Sequence, residues 1–174
     1  MSTEVALRPC TAADAGRLSV VAAATFLETY AGIVDGEDIV RHCATTHAPE
    51  AYAALLADPA RQLFLATIEP GAAPVGFMLM GPPDLPVETG PDDYELVRIY
   101  ALSRLHGSGL GPRMMRTAVD AARARGARRL LLAVYSRNAR ACAFYEKQGF
   151  RKIGTRLFHV GANDYLDWVL ALDL

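Results

Sequence analysis

Apolar and polar positions change period several times along the chain, and each change marks an element. Residues 4–8 (EVALR) alternate, which predicts a short strand stopped by Pro9. Thr11 and Asp14 then read as a helix start, with Thr11 as N-cap and Asp14 at the positive end of the dipole. Leu18, Val21, Ala22, Thr25, Phe26 and Thr29 recur at helical spacing up to about Tyr30, where Gly32 closes the helix. Residues 36–46 and 49–57 predict two shorter helices, with Pro59 stopping the second. Two apolar runs, 62–68 (QLFLATI) and 75–80 (VGFMLM), flank Glu69-Pro70-Gly71 and predict an antiparallel hairpin.

The segment 81–93 is rich in proline and glycine and reads as a loop. A strand at 94–102 (YELVRIYAL) follows. After a glycine-rich turn, Leu110, Met114, Ala118 and Ala121/Ala122 predict a helix ended by Gly126. Residues 129–135 (RLLLAVY) are continuously apolar, as in a central strand. Ser136 and Asn138 cap a helix running to Gln148, and 150–160 and 165–172 form a last strand pair around Gly161-Ala-Asn. The order β-α-α-α-β-β-β-α-β-α-β-β, without linker or repeat, predicts one α/β domain over residues 1–174 with a mixed sheet.

Composition narrows the picture. Apolar residues make up 52% and charged ones 21% of the 174, enough for a full core and against disorder. No uncharged run approaches a bilayer span, and no secretory signal is expected at the start. Cys10, Cys43 and Cys142 are sparse and far apart, which argues against a disulfide framework or zinc site and suits a reducing cytoplasm. Residues 1–97 carry 14 acids and 4 bases, residues 98–174 carry 5 acids and 14 bases. That polarity fits an anion bound by the second half and a cation facing the first, or simply pairing between halves. No basic–aromatic stripe accompanies it, so a nucleic-acid partner is not expected.

The glycine-rich turn is His106-Gly107-Ser108-Gly109-Leu110-Gly111, between a strand and a helix start. Glycines let the backbone approach a ligand, and a helix N-terminus offers free N–H groups and a positive dipole end, together suiting a diphosphate. Pro112 is tolerated that early in a helix. An ordinary turn is the plainer reading. A P-loop is excluded because no GK[ST] is present. A dinucleotide fingerprint is excluded because Pro112 stands where the third glycine belongs and no full βαβ domain follows.

Downstream, Asn138 is followed by Phe144-Tyr145 and by Gly149-Phe150. The glycine turn and this second motif, each after a strand and at a helix, resemble the GNAT superfamily of N-acetyltransferases, and the element order matches over nearly the whole chain. The resemblance implies a single-domain GNAT-like fold, with a mixed, mostly antiparallel central sheet flanked by helices and acetyl-CoA as co-substrate. It implies that the backbone of His106, Gly107, Ser108, Gly109, Leu110 and Gly111 holds the diphosphate, with His106 at a position usually Gln or Arg. It further implies that Ile99, Tyr100 and Ala101 bond the pantetheine arm through their backbone, that Asn138 contacts the cofactor, and that Tyr145 is the general acid. Glu95, fourteen residues before Gly109, falls where some members carry a general base. Ala133 stands where ribosomal-protein N-terminal acetyltransferases tend to have an acid, which lowers that reading.

A narrower similarity, to bacterial spermine/spermidine acetyltransferases of the sporulation-regulator type, is carried by residues 25–30 (TFLETY), 98–102 (RIYAL) and the tail from Gly154 to Asp167. It implies a polyamine acceptor, with Phe26, Tyr30 and Glu28 around it. Asp35, Glu37 and Asp38 add negative charge near a cationic substrate, and aromatics can add cation–π contact. The alternatives are an amino acid or antibiotic-like amine as acceptor, or a CoA-binding regulatory module without turnover. A homodimer is left open.

The chemistry asked of these residues is modest. An amine with a lysine-like pKa is neutral at pH 7 only at a cost of about 4.6 kcal/mol, part of which a base such as Glu95, directly or through water, can remove. A tyrosine is about 1.5 pKa units weaker as an acid than a thiol, so Tyr145 need only share its proton late with the leaving thiolate. Plainer readings stand beside these: Glu95 paired with Arg98 or Arg104, and Tyr145 packed by Phe144 and Phe150. Arg137, Arg140 and Lys147 could meet the cofactor's 3′-phosphate or lie on a solvated helix face. His42, His47 and His159 read as surface or satisfied core residues, and no metal-ligand spacing occurs.

Overall fold

The computed structural model describes residues 4–174. The chain runs β1 (Ala6–Pro9), α1 (Ala15–Tyr30), α2 (Gly36–Thr45), α3 (Pro49–Ala57), β2 (Gln62–Ile68), β3 (Ala73–Gly81), β4 (Asp93–Ala101), α4 (Leu110–Ala124), β5 (Arg129–Tyr135), α5 (Ala139–Lys147), β6 (Arg151–Val160) and β7 (Asn163–Asp173). Seven strands lie in the order β1-β2-β3-β4-β5-β7-β6. Pairing is antiparallel at β1–β2, β2–β3, β5–β7 and β6–β7, and parallel at β4–β5. This is the expected mixed, mostly antiparallel α/β sheet with helices.

The chain packs as two compact units, residues 4–80 with 98–116, and residues 81–97 with 117–174. In the first, α1 buries Leu18, Val21, Ala22, Thr25, Phe26 and Tyr30. The buried stripe thus ends on Tyr30 where the periodicity predicts Thr29, whose hydroxyl instead donates to the Thr25 carbonyl at 2.7 Å. Thr11 is the N-cap, with Asp14 completing a capping box, as expected, but the turn it opens is not yet α-helical. A single 3₁₀ turn (Ala12–Asp14) precedes the α-helix, because the buried Asp14 carboxylate accepts from the Thr11 N–H and, with both oxygens at 2.8 Å, from the Arg8 guanidinium. β1 begins two residues later than the alternation suggests and includes Pro9, opposite Phe64. A proline is tolerated there because β1 is an edge strand.

In the second unit, β5 lies between β4 and β7 and buries Leu130, Leu131, Leu132 and Val134. Its first residue, Arg129, pairs with Asp93 at 2.7 Å beside the Asp93–Arg129 register of the parallel ladder. β6 and β7 close through Gly161-Ala162, a two-residue hairpin with Gly161 at φ 61°.

Candidate active site

Candidate residues occur in each unit. In the first unit, β4 ends at Ala101 and a 3₁₀ turn (Ser103–Leu105) leads into the glycine segment. Residues 106–109 are exposed. Gly107 and Gly109 adopt φ 83° and 86°, and a Cβ on either would meet nothing within 4 Å. Glycine is therefore required here by backbone conformation, and the turn opens onto free space. The N–H groups of Gly107, Gly109 and Gly111 find no acceptor among the described residues. α4 begins at Leu110, so these donors cluster at its positive end, an arrangement that fits an anionic diphosphate.

Besides bonds within the turn, such as Ser108 Oγ donating to the Leu105 carbonyl at 2.6 Å, side chains tie it to its surroundings. His106 folds back so that Nε2 lies 3.1 Å from the Ala101 carbonyl; because a carbonyl only accepts, Nε2 carries the proton. Glu28, near the end of α1, accepts from the Ser103 N–H at 2.9 Å and from its hydroxyl at 3.0 Å. The residue expected beside a substrate thus braces the turn that leads to the donor loop. Of the other candidate acids, Asp35 caps α2 by accepting from the Glu37 N–H at 2.9 Å, and Asp38 pairs with Arg41 at 3.1 Å.

Phe26 and Tyr30 are buried, with ring centroids 4.5 Å apart. They open a run of stacked rings that the sequence did not reveal. Phe26 stacks on His42 (4.3 Å), His42 meets His47 (5.1 Å), His47 stacks on Tyr52 (6.1 Å), Tyr52 meets Phe77 (5.9 Å), and Phe77 stacks on Tyr100 (5.9 Å). Arg98 of β4 donates to the Tyr52 hydroxyl at 3.3 Å, its Cζ 5.9 Å from the ring centre. Neither Tyr52 nor His47 has sequence spacing that would flag it. Gly76 was also invisible in sequence: a Cβ there would lie 2.8 Å from the Tyr100 carbonyl oxygen, so only glycine lets β3 approach the backbone of Tyr100 and Ala101.

Electrostatics in this cluster are one-sided. Burial, with Arg98 and His42 nearby, pushes His47 down to about 3. Burial likewise pushes the Tyr52 phenol up to about 12, although Arg98 pulls the other way. His42 is lowered by burial and by Arg98. At neutral pH these groups stay uncharged beside a cation.

In the second unit, Glu95 is 3% exposed, and its Oε2 accepts from the Asp84 N–H at 2.8 Å, tying the loop 82–92 to β4. Asn138 caps α5, its Oδ1 accepting from the Ala141 N–H at 3.1 Å. That bond uses Oδ1 and leaves Nδ2 as the donor end of the amide. Tyr145 is buried, its ring edge-on between Phe144 (5.3 Å) and Phe150 (5.8 Å). Among the described residues no cluster of His, Cys, Asp and Glu could hold a metal ion, and no helix is long and apolar enough to cross a membrane.

Residues 33–150 match the model of the Acetyltransferase (GNAT) family. The chain belongs to this family. It is an acetyl-CoA-dependent N-acetyltransferase, and the donor-rich glycine turn is suited to that co-substrate. An uncharacterised N-acetyltransferase of Mycobacterium tuberculosis H37Rv is 32% identical over 161 residues, spanning 92% of this chain and 98% of its own. Among solved structures, the PaiA N-acetyltransferase of Thermoplasma acidophilum, in complex with coenzyme A, shares the fold with a TM-score of 0.74 at 18% identity, over 98% of this chain and 99% of its own. A GCN5-related N-acetyltransferase of Rhodopseudomonas palustris does so with a TM-score of 0.74 at 20% identity, over 100% and 99%.

Proposed function

We propose that the enzyme acetylates the primary amine of a small molecule, with the N–H groups of Gly107, Gly109 and Gly111 holding the diphosphate of acetyl-CoA. The unsatisfied donors at the head of α4, exposed at Gly107 and Gly109 and half-buried at Gly111, in a chain of the GNAT family, carry this reading. Ile99, Tyr100 and Ala101 offer strand backbone to the pantetheine arm, and Asn138 Nδ2 offers a further donor. Glu95 removes a proton from the incoming ammonium, through water, so that the neutral amine attacks the thioester carbon. The carbon–sulfur bond then breaks, and Tyr145 gives its proton to the departing thiolate. A buried carboxylate and a buried phenol are groups whose protons can be moved without competition from bulk solvent.

For the acceptor, the similarity of residues 25–30, 98–102 and 154–167 to spermine/spermidine acetyltransferases supports a polyamine. The second reading, an amino-acid-like amine, has a specific observation behind it. Glu28, Asp35 and Asp38 are engaged within the protein, whereas Arg98 is a cation among neutral rings. Thiol release from acetyl-CoA with spermidine, spermine and a panel of amino acids and aminoglycoside-like amines tests the proposal. Release with at least one amine is expected; none with any amine would overturn it.

A further inference from the structure

Five arginines stand on strands: Arg8, Arg98, Arg129, Arg151 and Arg156. Four hold an aspartate, Asp14, Asp93, Asp173 and Asp167, at 2.7–2.8 Å. Arg98 differs. It is half-buried in the middle of β4, and among the described residues no carboxylate pairs with it. Its one hydrogen bond goes to a phenol, the Tyr52 Oη.

Donor direction shows that nothing in the cluster offers a compensating charge. A guanidinium only donates, so Tyr52 Oη accepts from Arg98. The Tyr52 hydroxyl keeps its own proton to give to His47 Nδ1, 3.0 Å away, when His47 carries its proton on Nε2. His47, pushed down to about 3 mainly by burial, is neutral at pH 7, so the run Arg98–Tyr52–His47 carries no charge beyond the guanidinium. A partly desolvated cation without a counter-ion is costly, and a guanidinium has five donors in a planar fork suited to a carboxylate. Tyr52 occupies one of them.

The position fits a substrate. Ala101, whose carbonyl anchors His106 of the donor loop, is three residues further along the same strand. At about 3.3 Å per residue that is roughly 10 Å. Tyr100, two residues from Arg98 and half-exposed, stacks on Phe77.

The geometry points to Arg98 as the residue that recognises a carboxylate on the acceptor, which makes the acceptor an amino acid or an amine closely like one. This rests on the small-molecule acetyltransferase reading above. Tyr52 and His47 are positioning residues that aim the fork.

The test compares amino acids with their primary amides as acceptors, in wild type, Arg98→Met and Arg98→Lys, by thiol release. Intrinsic differences between acid and amide cancel when their kcat/KM ratio is compared across variants. Wild type is expected to prefer the acids. Arg98→Met should cut that preference roughly 10–100-fold through the KM of the acid, the usual range for losing a charge-assisted hydrogen-bonded pair. Arg98→Lys should recover part of it. An unchanged ratio in Arg98→Met would overturn the proposal, as would a raised KM for acetyl-CoA with the ratio unchanged, which would assign Arg98 to the donor. Calorimetric binding of an N-acetyl amino acid and its amide to the enzyme–CoA complex supplies a second readout. Loss of acid-over-amide selectivity in Arg98→Met supports the proposal, and equal selectivity overturns it, even where no amine supports turnover and the reading of function itself has failed.

Discussion

Glu28 accepts two hydrogen bonds from Ser103, one from its N–H at 2.9 Å and one from its hydroxyl at 3.0 Å. The contact joins the last turn of α1 to the 3₁₀ turn that precedes the donor loop, across 75 residues of sequence. An acidic side chain at this place does structural work on the loop through both oxygens.

Replacing Glu28 with Ala should therefore raise the KM for acetyl-CoA, by about 3–10-fold for a partly exposed charge-assisted pair, and leave kcat nearly unchanged. Steady-state thiol release with acetyl-CoA varied at saturating amine measures this. A KM shift in the amine instead would assign Glu28 to acceptor binding.

Gly109→Val places a β-branched side chain at φ 86° in open space. The added Cβ meets no atom of the protein within 4 Å, so the expected penalty in the free enzyme is backbone strain of about 1–3 kcal/mol. The variant should fold with a lowered melting temperature and lose acetyl-CoA affinity by more than 10-fold, measured by calorimetry. Affinity equal to wild type would remove residues 106–111 from the diphosphate site.

Stability should depend on pH through His47. Its folded pKa is held down to about 3, by burial and by Arg98 and His42, while an unfolded histidine titrates near 6.5. Between these values the unfolded chain binds more protons. Stability is thus complete above about pH 6.5 and falls as pH drops towards 3, by up to about 1.4 kcal/mol per pH unit. Urea midpoints from pH 8 to 4 should show a plateau and then a decline. His47→Asn keeps an acceptor for the Tyr52 hydroxyl and should flatten the decline between pH 6.5 and 4, leaving the smaller contribution of His42, which is lowered in the same direction. Asp14, held below the usual carboxylate range mainly by the Arg8 guanidinium, adds its loss only below about pH 4.

Tyr145→Phe removes one oxygen and leaves the ring between Phe144 and Phe150. kcat should fall by roughly 10²–10⁴ with acetyl-CoA binding retained. A wild-type rate would take Tyr145 out of the acid role. Glu95→Gln keeps an acceptor for the Asp84 N–H and should alter the acid limb of the pH–rate profile while preserving the melting temperature.

Much of the architecture was readable along the chain because it is set by local periodicity. The element order, the Asn138 cap and the glycine turn all follow from contacts within about ten residues, and the two motifs together identified the family. Element ends moved by one to three residues where side-chain pairing competed with the helical pattern, as the Arg8–Asp14 pair did at the start of α1. The roles of Glu28, Gly76, Tyr52 and Arg98 lay beyond local reading, because each depends on a partner far along the chain, Tyr52 lying 46 residues from Arg98 and Ser103 75 from Glu28. A strand arginine looks the same in sequence whether or not an aspartate faces it. Folding alone determines which charges are neutralised, since desolvation and Coulomb attraction act over ångströms of space and have no memory of sequence separation. That is why the reaction class could be read from residues 106–111 and 138–150, whereas the carboxylate-bearing acceptor we propose rests on Arg98 standing among neutral rings, a placement that only the fold makes.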